Sequence, residues 1–120
     1  MPAPLSGSLS NIPGFPAPFG NDRYVGACDH VGPSSYVQVV TGAPPSGGDT
    51  LYASEMGLKL IDRVIPSLSD DGQYEIFGVP VPGSSPNYAV LIWSIAATGA
   101  QVGAGVSLAA RNAKVMAVGR

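Results

Sequence analysis

Three consecutive residues, Cys28, Asp29 and His30, are the one place where this 120-residue sequence gathers groups that resemble catalytic chemistry. A thiolate activated by an imidazole is an effective nucleophile. On an extended strand Cys28 and His30 share a face and Asp29 points the other way. That spacing holds the two Cα atoms about 6–7 Å apart. A nucleophilic site also needs an orienting group and an oxyanion site. The trio therefore reads as a small buried cysteine beside a loop histidine.

Metal chemistry is equally thin. Zinc normally takes four ligands, and the chain has one Cys and one His, so carboxylates would have to supply the rest. Asp70 and Asp71 suggest calcium, but oxygen-ligand loops usually space their acids at alternate positions; Asp70-Asp71-Gly72 reads as a turn. Asp49, Glu55, Asp62 and Glu75 are the carboxylates available for a hydrolytic pair, and all fall among polar turn residues or on expected solvent faces. Gly99, Gly103 and Gly105 lack the strand-to-helix context of a phosphate cradle. Tyr36, Tyr52, Tyr74, Tyr88 and Trp93 suggest a sugar-stacking platform, against which Trp93 sits in the most apolar run and reads as core. The expectation is a protein that is not an enzyme, with no catalytic residue, no cofactor and no metal.

Composition points the same way. Charged residues make up 12%, about half the usual fraction of roughly 25%. So neutral a surface suits coverage by a permanent partner. The net charge is −2 and the six Lys and Arg residues are scattered, which lacks the footprint of a nucleic-acid binder. A single Cys allows no intrachain disulfide and fits a reducing cytosol. The N-terminus lacks the charged and apolar regions of a secretory signal. Residues 88–110 are uncharged and long enough to span a bilayer. Gly99, Gly103, Gly105, Ser94, Thr98, Gln101 and Ser107 interrupt them, however, and no basic flank marks an inside face. No membrane span is expected.

The elements that would position these groups are strands. Residues 1–22, MPAPLSGSLSNIPGFPAPFGND, form a Pro/Gly-rich arm in which neither a helix nor a central strand is plausible. Its scattered apolar residues Leu5, Leu9, Ile12, Phe15 and Phe19 are the expected partner-binding residues, seated on the arm's own domain or, in preference, on a neighbouring subunit. Residues 23–120 form the domain. Strands are expected over 23–28, 35–41, 58–65, 73–79, 88–97, 101–110 and 113–118, with a helical turn before the third, around 53–56. The segment 101–110 alternates apolar and small residues with a period of two. Residues 88–97 form a continuous apolar run that suggests a strand buried on both faces. Residues 42–50 and 80–87 read as connections, by their glycines and prolines. About seven antiparallel strands at this spacing predict an all-β fold, a single small β-sandwich or barrel with an extended N-terminal arm.

The phrases GLKLIDRVIPSLSDDGQYEIFGVPV, NYAVLIWSIAATGAQV and the closing VMAVGR resemble a group of small structural proteins of tailed bacteriophages. The resemblance covers roughly residues 35–120 and leaves out the arm. It implies an all-β capsid decoration or cement protein that binds the major capsid protein at the virion surface and is assembled in the host cytoplasm. It further implies a homo-oligomer, for which symmetry makes a trimer attractive, and it transfers no catalytic residues. The alternative from another class is a carbohydrate- or receptor-binding β-module of the phage tail or neck.

Overall fold

The computed structural model describes residues 8–11, 16–18, 22–40, 42 and 45–120, with side chains described from residue 16 onward. Among these the chain is all-β. The strands are β1 (Ser8–Asn11), β2 (Ala17–Pro18), β3 (Tyr24–Val31), β4 (Asp49–Tyr52), β5 (Ile61–Ile65), β6 (Ser67–Leu68), β7 (Tyr74–Val81), β8 (Tyr88–Ile95) and β9 (Asn112–Gly119). A 3-10 turn at Ala53–Met56 joins β4 to β5. Two antiparallel sheets result, one ordered β1-β3-β9-β5 with β2 also on β3, the other β4-β8-β7-β6. Neither sheet closes on itself, which removes the barrel from the expected alternatives.

The strands form where period-two burial has a partner face. On β9, Ala113, Val115 and Ala117 are buried, and they meet Cys28 of β3 and Ile61 and Val64 of β5. From the second sheet, Leu51 of β4, Ile76 of β7, and Ala89, Leu91 and Trp93 of β8 complete the same core. Fully burying a side chain such as Leu91 stabilises by about 1.5–3 kcal/mol. β5 lies so close to β7 that a Cβ on Gly78 would collide with the Val64 side chain. Glycine at 78 is therefore a requirement of sheet spacing.

β8 matches its apolar run. Ala89, Leu91 and Trp93 are buried on one face and Val90 and Ser94 on the other. The 3-10 turn falls where helical spacing was expected, and Gly72, with φ 74°, closes the turn after Asp70 and Asp71. β7 runs further than expected, through Pro80 to Val81. β6 reaches only Glu75 and Ile76, so at Pro80 one side of β7 is a free edge and proline interrupts no ladder there.

Two expected strands are absent. Residues 101–110 are irregular, with Val102 and Leu108 buried while Ala104, Val106 and Ala110 are exposed. Gly105 adopts φ 82°, outside the range a strand allows. Of residues 35–41, the described 35–40 are also irregular apart from a bridge between Val40 and Ser46. The two segments satisfy each other instead: Tyr36 N donates to Val106 O (2.9 Å), Gly105 N to Tyr36 O (2.8 Å) and Leu108 N to Pro33 O (2.8 Å).

The described parts of the arm pair with their own chain. Ser8, Ser10 and Asn11 lie opposite His30, Asp29 and Cys28, and Ala17 and Pro18 lie opposite Val25 and Tyr24. They form an edge of the first sheet.

Candidate functional site

β3 alternates as the trio requires. Cys28 and His30 turn into the core at 0% exposure. Asp29 turns outward, where its carboxylate lies 3.1 Å from Lys114 Nζ on β9. The register that pairs Asp29 with Lys114 and His30 with Ala113 fixes both directions.

His30 reaches across the core to the other sheet. Its Nε2 lies 2.8 Å from Asp49 Oδ2 at the start of β4, and Trp93 Nε1 on β8 donates to the same oxygen at 3.0 Å. A carboxylate only accepts, so the imidazole proton of this bond sits on Nε2. Behind Trp93 a second link follows. Tyr36 Oη accepts from Trp93 N (3.2 Å) and donates to Gln101 Oε1 (2.8 Å), which also accepts from Val39 N (2.6 Å). Burial pushes the Tyr36 phenol up to about 12; the Trp93 backbone N–H partly offsets this and the Asp49 charge adds to it. The phenol stays neutral at physiological pH and serves as a donor and acceptor, not as a base.

This arrangement stitches two sheets together. His30, Asp49 and Trp93 are fully buried and Tyr36 nearly so. Two surface concavities lie elsewhere. One of about 430 Å³ is bounded by Tyr74, Ile95 and Ala96, and one of about 440 Å³ by Leu58, Lys59, Pro86 and Asn87. The Cys28 thiol is fully buried and lines neither concavity. Reasoning from sequence missed Asp49 as the partner of His30, having placed it on the solvent side. The available signal was inventory: the single His and single Trp both bring ring N–H groups that a core must satisfy.

Glu55, Asp62 and Asp71 have structural tasks. Glu55 accepts from Tyr52 N (2.9 Å) and caps the 3-10 turn, and Asp62 pairs with Arg23 (2.8 Å). Asp71 accepts from Ser69 Oγ (2.6 Å) and Gln73 N (3.1 Å) and pairs with Arg111 (3.1 Å). The Ser69 hydroxyl first, then the Gln73 N–H and the Arg111 charge, hold its carboxyl below the usual range. Among the described residues no group of three or more His, Cys, Asp or Glu side chains could hold a metal ion.

The aromatic residues build no flat platform among the described residues. Tyr74 meets buried Trp93 edge to face (6.1 Å, 64°), with the Arg111 guanidinium 5.9 Å from the Tyr74 ring centre. Tyr52 meets Tyr88 in the same way (6.2 Å, 63°).

What the surface does present is apolar. Leu68 is 55% exposed, Phe77 39% and Val79 37%, all on the outer face of β6 and β7, where Glu75 is their charged neighbour. Of the expected arm anchors, Leu5, Ile12, Phe15 and Phe19 lie outside the described residues. Leu9 lies within β1, its side chain outside the description. Among the described residues no helix is long and apolar enough to cross a membrane.

No protein-family model, no curated protein and no solved structure matches this chain.

Proposed function

We propose that this protein is a non-enzymatic virion protein: a β-sandwich that decorates or cements the assembled capsid of a tailed phage, binding the major capsid protein as a homo-oligomer on the capsid surface. The observation that carries the reading is an inversion of roles. The groups able to do covalent or acid–base chemistry at Cys28, His30 and Asp49 are sealed in the core, while Leu68, Phe77 and Val79 face outward. Such a molecule is suited to covering another surface. A subunit that binds only the assembled shell adds its binding free energy to the stability of that state. The arm, tethered to the domain, raises the effective concentration of a second contact.

The test uses shells of a tailed phage stripped of accessory proteins. Added full-length protein should bind to saturation and raise the temperature at which the shells release their contents. A chain lacking residues 1–22 should bind with lower occupancy. Absence of binding by the full-length chain contradicts the reading. Unchanged occupancy after deletion contradicts the role given to the arm.

A further inference from the structure

We propose that the outer edge of β3 is a strand-acceptor site, and that in the assembled protein it takes the arm of another copy of this chain, passed around a closed homo-oligomer. The proposal needs no capsid and stands independently of shell binding.

The sheet edges differ in how they are guarded. An unguarded strand edge is a template for another chain, and charge, proline, shortness or a covering loop blunts it. β5 carries exposed Asp62 and Arg63, β6 has two residues, and β7 beyond β6 carries Pro80. β4 is buried through Asp49, Thr50 and Leu51, and Gly48 just before it donates to Val37 O. β3 carries a single outward charge, Asp29, which is paired with Lys114 of the neighbouring β9. Its eight residues pair with β9 without a shift from Tyr24–Gly119 to Val31–Asn112, and Asp29 is the carboxylate among them. Among the described residues only the arm pairs with its outer side.

The arm holds that edge in two separate short grips. Ala17 and Pro18 pair with Val25 and Tyr24, and Asn11 then pairs with Cys28. Six positions thus separate Asn11 from Ala17 on the arm while three separate Cys28 from Val25 on β3. A further shift falls between Ser8 and Ser10. Pro18 supplies no N–H to its grip. A register set by so few pairs is weakly specified.

Asp22, just before β3, sits at φ 57°, a left-handed conformation that aspartate adopts more readily than most L residues. The five residues between Pro18 and Tyr24 can span up to about 20 Å when extended, which sets the arm's reach toward a second copy. The edge already accepts Ser8, Ser10 and Asn11 as strand partners. A second copy brings the same strand to the same groove, so exchange by symmetry needs no new complementarity. Within a single chain the tether favours the closed form; high local concentration favours exchange.

The experiment uses two full-length chains, Ser10→Cys and Asp29→Cys, whose positions lie opposite each other across the arm and β3. Opposed positions on antiparallel strands are within disulfide reach. Native Cys28 is buried and is left in place. The two variants are refolded together at equal amounts and high concentration, oxidised, and resolved by non-reducing electrophoresis with mass spectrometry of the linked peptides. Exchange places about a quarter of all arm–edge contacts between a Ser10→Cys arm and an Asp29→Cys edge, and these should link between chains. A chain carrying both substitutions reports the register. If it links only within itself and the mixture yields no Ser10→Cys to Asp29→Cys species, the proposal is overturned; if it links in neither way, the β3 register itself is wrong and the proposal falls with it. Light scattering of the unmodified chain guards against a variant that fails to fold: a mass of at least twice 12.1 kDa is expected, and a monomer at the same concentration overturns the exchange.

Discussion

The inside of this molecule and the outer face of β6 and β7 have exchanged the roles that side-chain chemistry usually assigns them. Inside, His30, Asp49, Trp93 and Tyr36 make a chain of hydrogen bonds between two sheets. Outside, Leu68, Phe77 and Val79 are left to solvent. The inner set shows that polar residues in a small core can be structural when their hydrogen bonds reach partners across the fold. The outer set shows where a chain poor in charge keeps surface available for association.

The largest expected effect comes from breaking the inner set. Asp49→Ala leaves the His30 and Trp93 ring N–H groups facing an absent acceptor and should lower stability by about 3–5 kcal/mol, read from urea unfolding. Asp49→Asn keeps a carbonyl acceptor and should lose less. If Asp49→Ala unfolds at the wild-type urea midpoint, the inner set is not what joins the sheets.

Next is the seam between the sheets. Gly78→Val places a side chain against Val64, where β5 and β7 meet. It should destabilise by about 1–3 kcal/mol through overpacking. The outer face should respond in the opposite sense: the double variant Phe77→Ser and Val79→Thr should change stability by no more than about 0.5 kcal/mol. The same variant should weaken binding to phage shells. A large loss of stability with binding intact would reverse the assignment of the two regions.

The smallest effect is at Asp71. Its folded carboxyl is held below the usual range, chiefly by the Ser69 hydroxyl. A depressed folded value contributes stability that is present above the unfolded value, near 3.9, and is lost as pH falls through the folded one. The wild-type urea midpoint should therefore fall more steeply than that of Asp71→Asn as pH is taken below about 4. Parallel curves would mean that the Ser69 and Gln73 contacts do not favour the ionised form.

Legibility in the sequence followed the strength of local signals. β8 was readable because eight apolar-rich residues fill both faces of a central strand, and the turn at 70–72 because aspartate and glycine suit its backbone. The period-two pattern at 101–110 misled. Between its apolar residues stand Gly103, Gly105, Ser107 and Ala109, with little β-propensity, and Gly105 turns the chain. What organises that segment is a distant one, through Tyr36, Val106 and Pro33, and no local pattern announces it. Asp49 was misplaced for a similar reason. Next to Gly47 and Gly48 it looks like loop, and only the pairing of β4 with β8 brings it beneath Trp93.

The most direct measurement is the rate at which native Cys28 reacts with a small water-soluble thiol reagent, compared with the rate of global unfolding. With the thiol sealed beneath β3 at 0% exposure, labelling should be no faster than unfolding and should become rapid only in denaturant. Prompt labelling of the folded chain would mean that the Cys28–His30 region opens to solvent, and would contradict a protein whose chemistry-bearing residues are there to hold it together.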